Sequence, residues 1–150
     1  DLVGFNMTTC EGYGLLDGGA SVSVGGAEHL QIIQDCVHSR GGEMEARASS
    51  RSFAFAGGDQ TSGKTQCVLT VPALDGETVT IHVVDRPAPI LLGMNFLSYF
   101  GIQINYATNQ VYSHRLNRSL PAVVLPSGHL ALDLRAMLVE AAVPTGAQEH

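Results

Sequence analysis

Short apolar–polar alternations, broken by Gly, Pro or Asp-Gly at intervals of about 8–12 residues, dominate the chain up to Tyr112 and predict strands. Leu15 and Leu16 end a first apolar run, and Ser21-Val22-Ser23-Val24 alternates with period two before Gly25-Gly26 punctuates it. Residues 51–56 alternate again, residues 66–71 are rich in β-branched side chains and closed by Pro72, and residues 78–84 set Val79, Ile81 and Val83 on one face. Between the last two runs, Leu74-Asp75-Gly76-Glu77 reads as a hairpin turn, because Asp-Gly tolerates the positive φ such turns need. Ile90-Leu91-Leu92-Gly93 follows Pro87 and Pro89, and residues 102–106 pair with 110–112 across Ala107-Thr108-Asn109. Helical spacing is confined to three places. Leu30, Ile33 and Val37 recur over 27–38, Asn95 caps a short helix that Gly101 ends, and residues 133–142 carry Leu134, Met137 and Leu138 on one stripe. The pattern predicts an all-β barrel or sandwich with one or two small helices.

After Tyr112 the character changes. Basic residues and His gather over 113–119, Pro121 and Pro126 interrupt, and residues 144–150 read as a frayed end. The chain is therefore divided into a domain over 1–112 and a C-terminal extension or linker over 113–150. A hydrophobic content of 45% suffices for a core, while only 15% charged residues leaves surface for a partner to cover. A net charge of −6 argues against nucleic acid as that partner. No apolar run approaches the roughly 20 residues that span a bilayer, so no membrane is expected. The opening Asp1-Leu2-Val3-Gly4, with neither signal peptide nor initiator Met, suggests a fragment excised from something longer, in an intracellular (cytoplasmic) setting. Cys10, Cys36 and Cys67 are odd in number and far apart, which suits reduced structural thiols. His29, His38, His82, His114 and His129 lack the tight spacing of a zinc site, so no metal and no cofactor are expected.

The chemistry concentrates in Leu15-Leu16-Asp17-Gly18-Gly19-Ala20-Ser21. A carboxylate closing an apolar strand on a glycine-rich turn is held partly out of water, which is costly unless it has a partner or a task. The plain reading is a strand ending in an Asp-Gly turn. The other reading comes from pairing this stretch with Ile90-Leu91-Leu92-Gly93-Met94-Asn95-Phe96-Leu97. Over about residues 12 to 112, the two together resemble the retropepsin-like aspartic proteases, especially those of copia-type retrotransposon polyproteins. The family's mark is an apolar pair, then Asp-Thr/Ser-Gly-Ala/Ser, and far downstream an apolar-apolar-Gly strand followed by a short helix. Leu125-Pro126-Ser127-Gly128-His129 also looks like sequence that follows the protease in such polyproteins.

The resemblance implies a closed retropepsin-like barrel, a single-lobe subunit that dimerises, and an endopeptidase that hydrolyses a polyprotein. Metal-free peptide hydrolysis needs one carboxylate to activate water while another donates a proton, roles that two close carboxylates split by sharing one proton. Asp75 lacks the Gly-Ala that follows Asp17, so the second carboxylate must come from a symmetry-related copy of Asp17 in a homodimer. Gly18, Gly19, Ala20 and Ser21 would form the active-site loop that meets an extended peptide, and Leu91, Leu92 and Gly93 the strand beneath it. Residues 53–71 would form a hairpin flap, its tip running from Ala56 to Gly63 and its mobility supplied by Gly57, Gly58 and Gly63. Position 18 departs from the family: Gly stands where Thr or Ser, similar to a cross-dimer clamp, is usual. That departure implies a weaker dimer, or a weakened or inactive dimerisation or peptide-binding module.

A second motif competes. Gly58-Asp59-Gln60-Thr61-Ser62-Gly63-Lys64-Thr65 matches a phosphate-binding loop, which would make the chain a nucleotide-binding protein. Such a loop needs a helix after it, whereas residues 66–71 are β-branched and end at Pro72.

Overall fold

The structure, a computed structural model, describes residues 10–39, 44–48, 52–54, 60–62 and 65–139. In chain order the strands are β1 (Tyr13–Leu16), β2 (Val24–Gly26), β3 (Met44–Ala48), β4 (Ser52–Ala54), β5 (Gln60–Ser62), β6 (Thr65–Val71) and β7 (Glu77–Val84). They continue with β8 (Ile90–Leu92), β9 (Ile102–Asn105), β10 (Gln110–Ser113), β11 (Arg118–Leu120), β12 (Ala122–Val124) and β13 (Leu130–Asp133). The helices are α1 (Ala27–Ser39), α2 (Met94–Tyr99) and α3 (Leu134–Val139). The chain is thus mainly strand with a few short helices, as the alternation predicts.

Eight strands form the main sheet in the order β12-β13-β1-β8-β2-β7-β6-β3. This sheet is open. Its outer strands β12 and β3 do not pair among the described residues, so the closed barrel expected from the resemblance is not found. Closure requires the outer strands to meet through a sustained tilt and stagger, and β12 offers only three residues, paired with β13 alone. Strands β11-β10-β9 make a second, three-stranded sheet.

The β6–β7 ladder runs from Thr65↔Val83 to Val71↔Glu77 and is closed by a 3₁₀ turn at Pro72–Leu74. Asp75 and Gly76 then adopt φ of 58° and 77°, the left-handed pair that Asp-Gly was expected to supply. Val79 and Ile81 are buried as the alternation predicts, but so are His82 and Val84. The second half of β7 lies inside the sheet between β2 and β6, where both faces are covered. Gly25-Gly26, read as punctuation, instead completes β2: a Cβ at Gly26 would lie 2.8 Å from the Ala88 nitrogen.

The hairpin expected over 53–71 is built differently. β4 pairs with β5, while β6 pairs with β3 from Met44↔Leu69 to Ala48↔Thr65. The outgoing arm therefore begins at Met44, and the β4–β5 pairing runs from Ser52↔Ser62 to Ala54↔Gln60. The segment Met44-Glu45-Ala46-Arg47-Ala48 hides this because Glu and Ala are poor strand formers. Ala56, Gly57, Gly58 and Gly63 lie outside the described residues.

The main core gathers Leu30, Ile33 and Val37 of α1, Leu69 and Val71 of β6, Ile81 of β7, and Ile90 and Leu92 of β8. It also contains Leu120, Leu132, Leu134, Met137 and Leu138. The division expected at residue 112 falls inside β10, and the segment after it belongs to the same core. β13 pairs with β1 through Tyr13↔Asp133, Gly14↔Leu132 and Leu15↔Ala131. Residues 113–139 read as linker because Pro121 and Pro126 fragment them into strands too short for alternation to register. The Asp133 carboxylate caps α3 by accepting the Ala136 N–H at 3.0 Å, so this helix starts where its pattern predicted.

Candidate active site

β8 is the strand around which the site is built. β1 runs parallel to it on one side (Gly14↔Ile90, Leu15↔Leu91, Leu16↔Leu92), and β2 runs antiparallel on the other (Val24↔Leu91). The loop 17–23 that joins β1 to β2 must cross the end of β8, where that strand gives way to α2. The Asp17 N–H donates to the Leu92 carbonyl at 3.0 Å, carrying β1's line up to the carboxylate. Apolar residues flank the crossing because both strands are interior to the sheet.

The loop is tied down to α2. The Met94 and Asn95 N–H groups donate to the carbonyls of Ala20 (2.7 Å) and Ser21 (3.1 Å). The Gly93 N–H donates to Ser23 Oγ (3.0 Å), whose hydroxyl in turn donates to Asn95 Oδ1 (2.9 Å). These bonds satisfy helix-start donors that would otherwise be orphaned. Asn95 therefore binds Ser23 and does not cap the helix; Gly93 holds the N-cap position. A fully buried serine is unremarkable in an alternating sequence, so Ser23 gave no signal until the fold brought Asn95 to it.

Gly93 is required by space. A Cβ there would sit 2.5 Å from the Val22 carbonyl oxygen and 2.7 Å from that of Ala20, both backbone atoms. Gly93→Ala is expected to destabilise the fold by about 3 kcal/mol, the upper range for overpacking. Urea unfolding monitored by circular dichroism checks this, and a midpoint equal to that of the parent would contradict the close approach.

Asp17 itself is half-buried, with Gly18 and Gly19 exposed at the tip of the turn. Its Oδ1 accepts the Gly19 N–H at 2.9 Å, and its carbonyl accepts the Ala20 N–H at 3.2 Å. One carboxylate oxygen is thus fixed by the backbone. A Cβ on Gly19 would come within 3.3 Å of Oδ1, so the glycine keeps that approach open. At Gly18 an added Cβ would meet only Met94 Sδ, at 3.9 Å, and the backbone there is not left-handed. A side chain at 18 is sterically allowed. Leu91, half-buried, packs with Leu15, Ala131, Leu125 and Cys10 in a small apolar cluster on one side of the turn. The fold thus brings Asp17, Gly18, Gly19, Ala20 and Ser21 together with Leu91, Leu92 and Gly93.

Asp75, the other Asp-Gly, is exposed and bridged to Arg118 at 3.0 Å. Outside the turn, burial holds the His29 imidazole below its ordinary pKa, against the opposing charges of Glu11 and Glu28, and pushes the Cys67 thiol up. Glu77 is held below the usual carboxylate range by hydrogen bonds from Arg115 and Tyr99, and the Arg115 guanidinium also lies 4.2 Å over the Tyr99 ring. Among the described residues no group of three or more His, Cys, Asp or Glu side chains could hold a metal ion, and no helix is long and apolar enough to cross a membrane. The stretch matching a phosphate loop contains strand β5 and runs into strand β6, where nucleotide binding needs a helix N-terminus. No family model, no curated protein and no solved structure matches this chain.

Proposed function

We propose that the chain is a retropepsin-like aspartic endopeptidase that acts as a homodimer on an extended segment of a polyprotein of copia-type retrotransposon kind, with Asp17 and its symmetry mate as the catalytic pair. One observation carries this reading: a glycine-flanked carboxylate sits at the end of an apolar strand, and its loop is clamped across the end of a parallel apolar-Gly strand and the helix that follows. Nothing about a simple Asp-Gly hairpin requires that crossing, since such a turn would return β1 antiparallel onto its neighbour. In the dimer, the pair shares one proton; one carboxylate takes a proton from water as it attacks the peptide carbonyl, and the other gives a proton to the departing amine. The flap would be the β3–β6 hairpin, closing over the peptide. Cleavage of an unstructured protein at mildly acidic pH tests the reading. Tight ATP binding lost in Lys64→Ala, without cleavage, would favour the nucleotide alternative instead.

The Gly18 backbone favours one qualification of this reading, a dimer held less tightly than in relatives that carry a hydroxyl at this place. Because a Cβ fits there, Gly18→Thr is expected to add a hydrogen bond per subunit and tighten the dimer about 5–150-fold, taking about 0.5–1.5 kcal/mol for each bond. Sedimentation equilibrium over a concentration series measures it. An unchanged dissociation constant would show that position 18 does not meet the partner.

A further inference from the structure

β7 lacks a neighbour along half of one edge. β2 covers it only at His82, Val83 and Val84. Ahead of β2 the chain leaves β7 for α2, where the Ala20 and Ser21 carbonyls accept the Met94 and Asn95 N–H groups. The last bond across to β7 is the His82 N–H donating to the Ser23 carbonyl at 2.9 Å. That bond fixes the sense of the strand. Backbone groups point to alternate sides along a strand. Those of His82, Thr80 and Thr78 therefore point to the β2 side, and those of Ile81, Val79 and Glu77 to β6. The β6–β7 register is unbroken from Thr65↔Val83 to Val71↔Glu77, so the alternation holds throughout. The N–H and C=O groups of Thr78 and Thr80 thus face outward, and on that side neither residue bonds to another described residue.

A slot opens beside this edge, a cavity of about 210 Å³ between residues 77–80 of β7 and Asn95, Phe96, Tyr99 and Phe100 of the α2 segment. The helix is pinned at both ends of it. Ser23 Oγ donates to Asn95 Oδ1 at 2.9 Å, and the Tyr99 hydroxyl donates to Glu77, whose other carboxylate oxygen accepts the Arg115 Nε–H at 2.8 Å. Val79, Phe96 and Phe100, all buried, supply apolar lining, while Thr78 is exposed and Thr80 half-buried, so solvent reaches the edge. The slot thus offers two donors and two acceptors at the two-residue spacing of a strand, beside an apolar wall. An extended backbone carrying one apolar side chain complements that arrangement, as when a peptide adds to the open edge of a sheet.

We propose that this slot takes an extended polypeptide, which adds to β7 as a short strand through the backbone of Thr78 and Thr80 and sets one apolar side chain against Phe96 and Phe100. The site is separate from the Asp17 turn and stands apart from the protease reading, because binding is measured without cleavage. The test uses the full, isotope-labelled chain and the end-capped peptide Ser-Thr-Val-Thr-Ser, which favours an extended form and carries a single apolar residue. Saturable shifts of the Thr78 and Thr80 amide resonances are expected, with a Kd of about 1 mM or tighter. The same peptide N-methylated at its central residues keeps every side chain but loses its strand donors, and it is expected to bind at least about tenfold more weakly. Thr80→Pro removes an outward N–H and no bond to β6, so it is expected to weaken binding of the unmodified peptide to a similar degree, with a melting curve to show that the variant folds. No saturable binding, equal binding of the N-methylated peptide, or shifts confined to the Asp17 loop would overturn the inference and leave the protease reading untouched. Loss of cleavage with the Thr78 and Thr80 shifts intact would do the reverse.

Discussion

Asp17→Asn is expected to lower kcat/KM for peptide cleavage by at least about 10³-fold, because both proton-transfer roles fall on copies of this one residue. In a homodimer the single substitution removes both carboxylates at once, and an amide neither takes a proton from water nor gives one to the leaving nitrogen. The fold is expected to be unaffected. The Asn side-chain oxygen can still accept the Gly19 N–H that Asp17 Oδ1 accepts at 2.9 Å, and the Asp17 N–H bond to Leu92 is made by the backbone. Activity on an unstructured protein and a melting curve, measured side by side, separate the two effects. Cleavage at the parental rate by the Asn variant would remove Asp17 from the mechanism.

The second large effect concerns stability. A chain ending at residue 112 is expected not to fold. Truncation removes Leu120, Leu132, Leu134, Met137 and Leu138 from the main core and Leu125 and Ala131 from the cluster beside the Asp17 turn. At about 1.5–3 kcal/mol for each large apolar side chain buried, the five main-core residues alone stand for about 7–15 kcal/mol, comparable to the whole stability of a domain of this size. Loss of β13 also bares the edge of β1, and an unpaired apolar edge invites aggregation. A chain ending at 139 keeps every described contact and serves as the control. Circular dichroism and gel filtration of both chains decide the matter. A cooperative, monodisperse 1–112 fragment with the control's melting temperature would show that the tail is dispensable.

Period and punctuation made much of the architecture legible. The Asp75-Gly76 turn and the helical spacing of Leu30, Ile33 and Val37 appear where they were read, and the alternation over residues 78–84 holds as far as Ile81, after which His82 and Val84 are buried and Val83 only half-buried. Elements that depend on distant partners were not legible. β3 carries Glu45 and Arg47 and lacks strand propensity, so its pairing with β6 is imposed by the hairpin as a whole. β12 and β13 are too short for a period of two to stand out, and they become strands because β1 needs a partner on its free side. At the site, the Asp17 loop and the Leu91-Leu92-Gly93 strand announced themselves through composition. Ser23 and Asn95 did not, because a serine and an asparagine are common on surfaces and only the crossing of the loop over β8 gives them each other as partners.

The central claim is that two copies of Asp17 face one another. A crystal structure of the protein in solution-competent, concentrated form tests this most directly through one distance, that between the Asp17 carboxylates of neighbouring copies. The account predicts a twofold axis at the Asp17 turn and carboxylate oxygens about 3 Å apart, close enough to share a proton. Copies that pack through other surfaces, with the two Asp17 side chains separated and facing solvent, would contradict it.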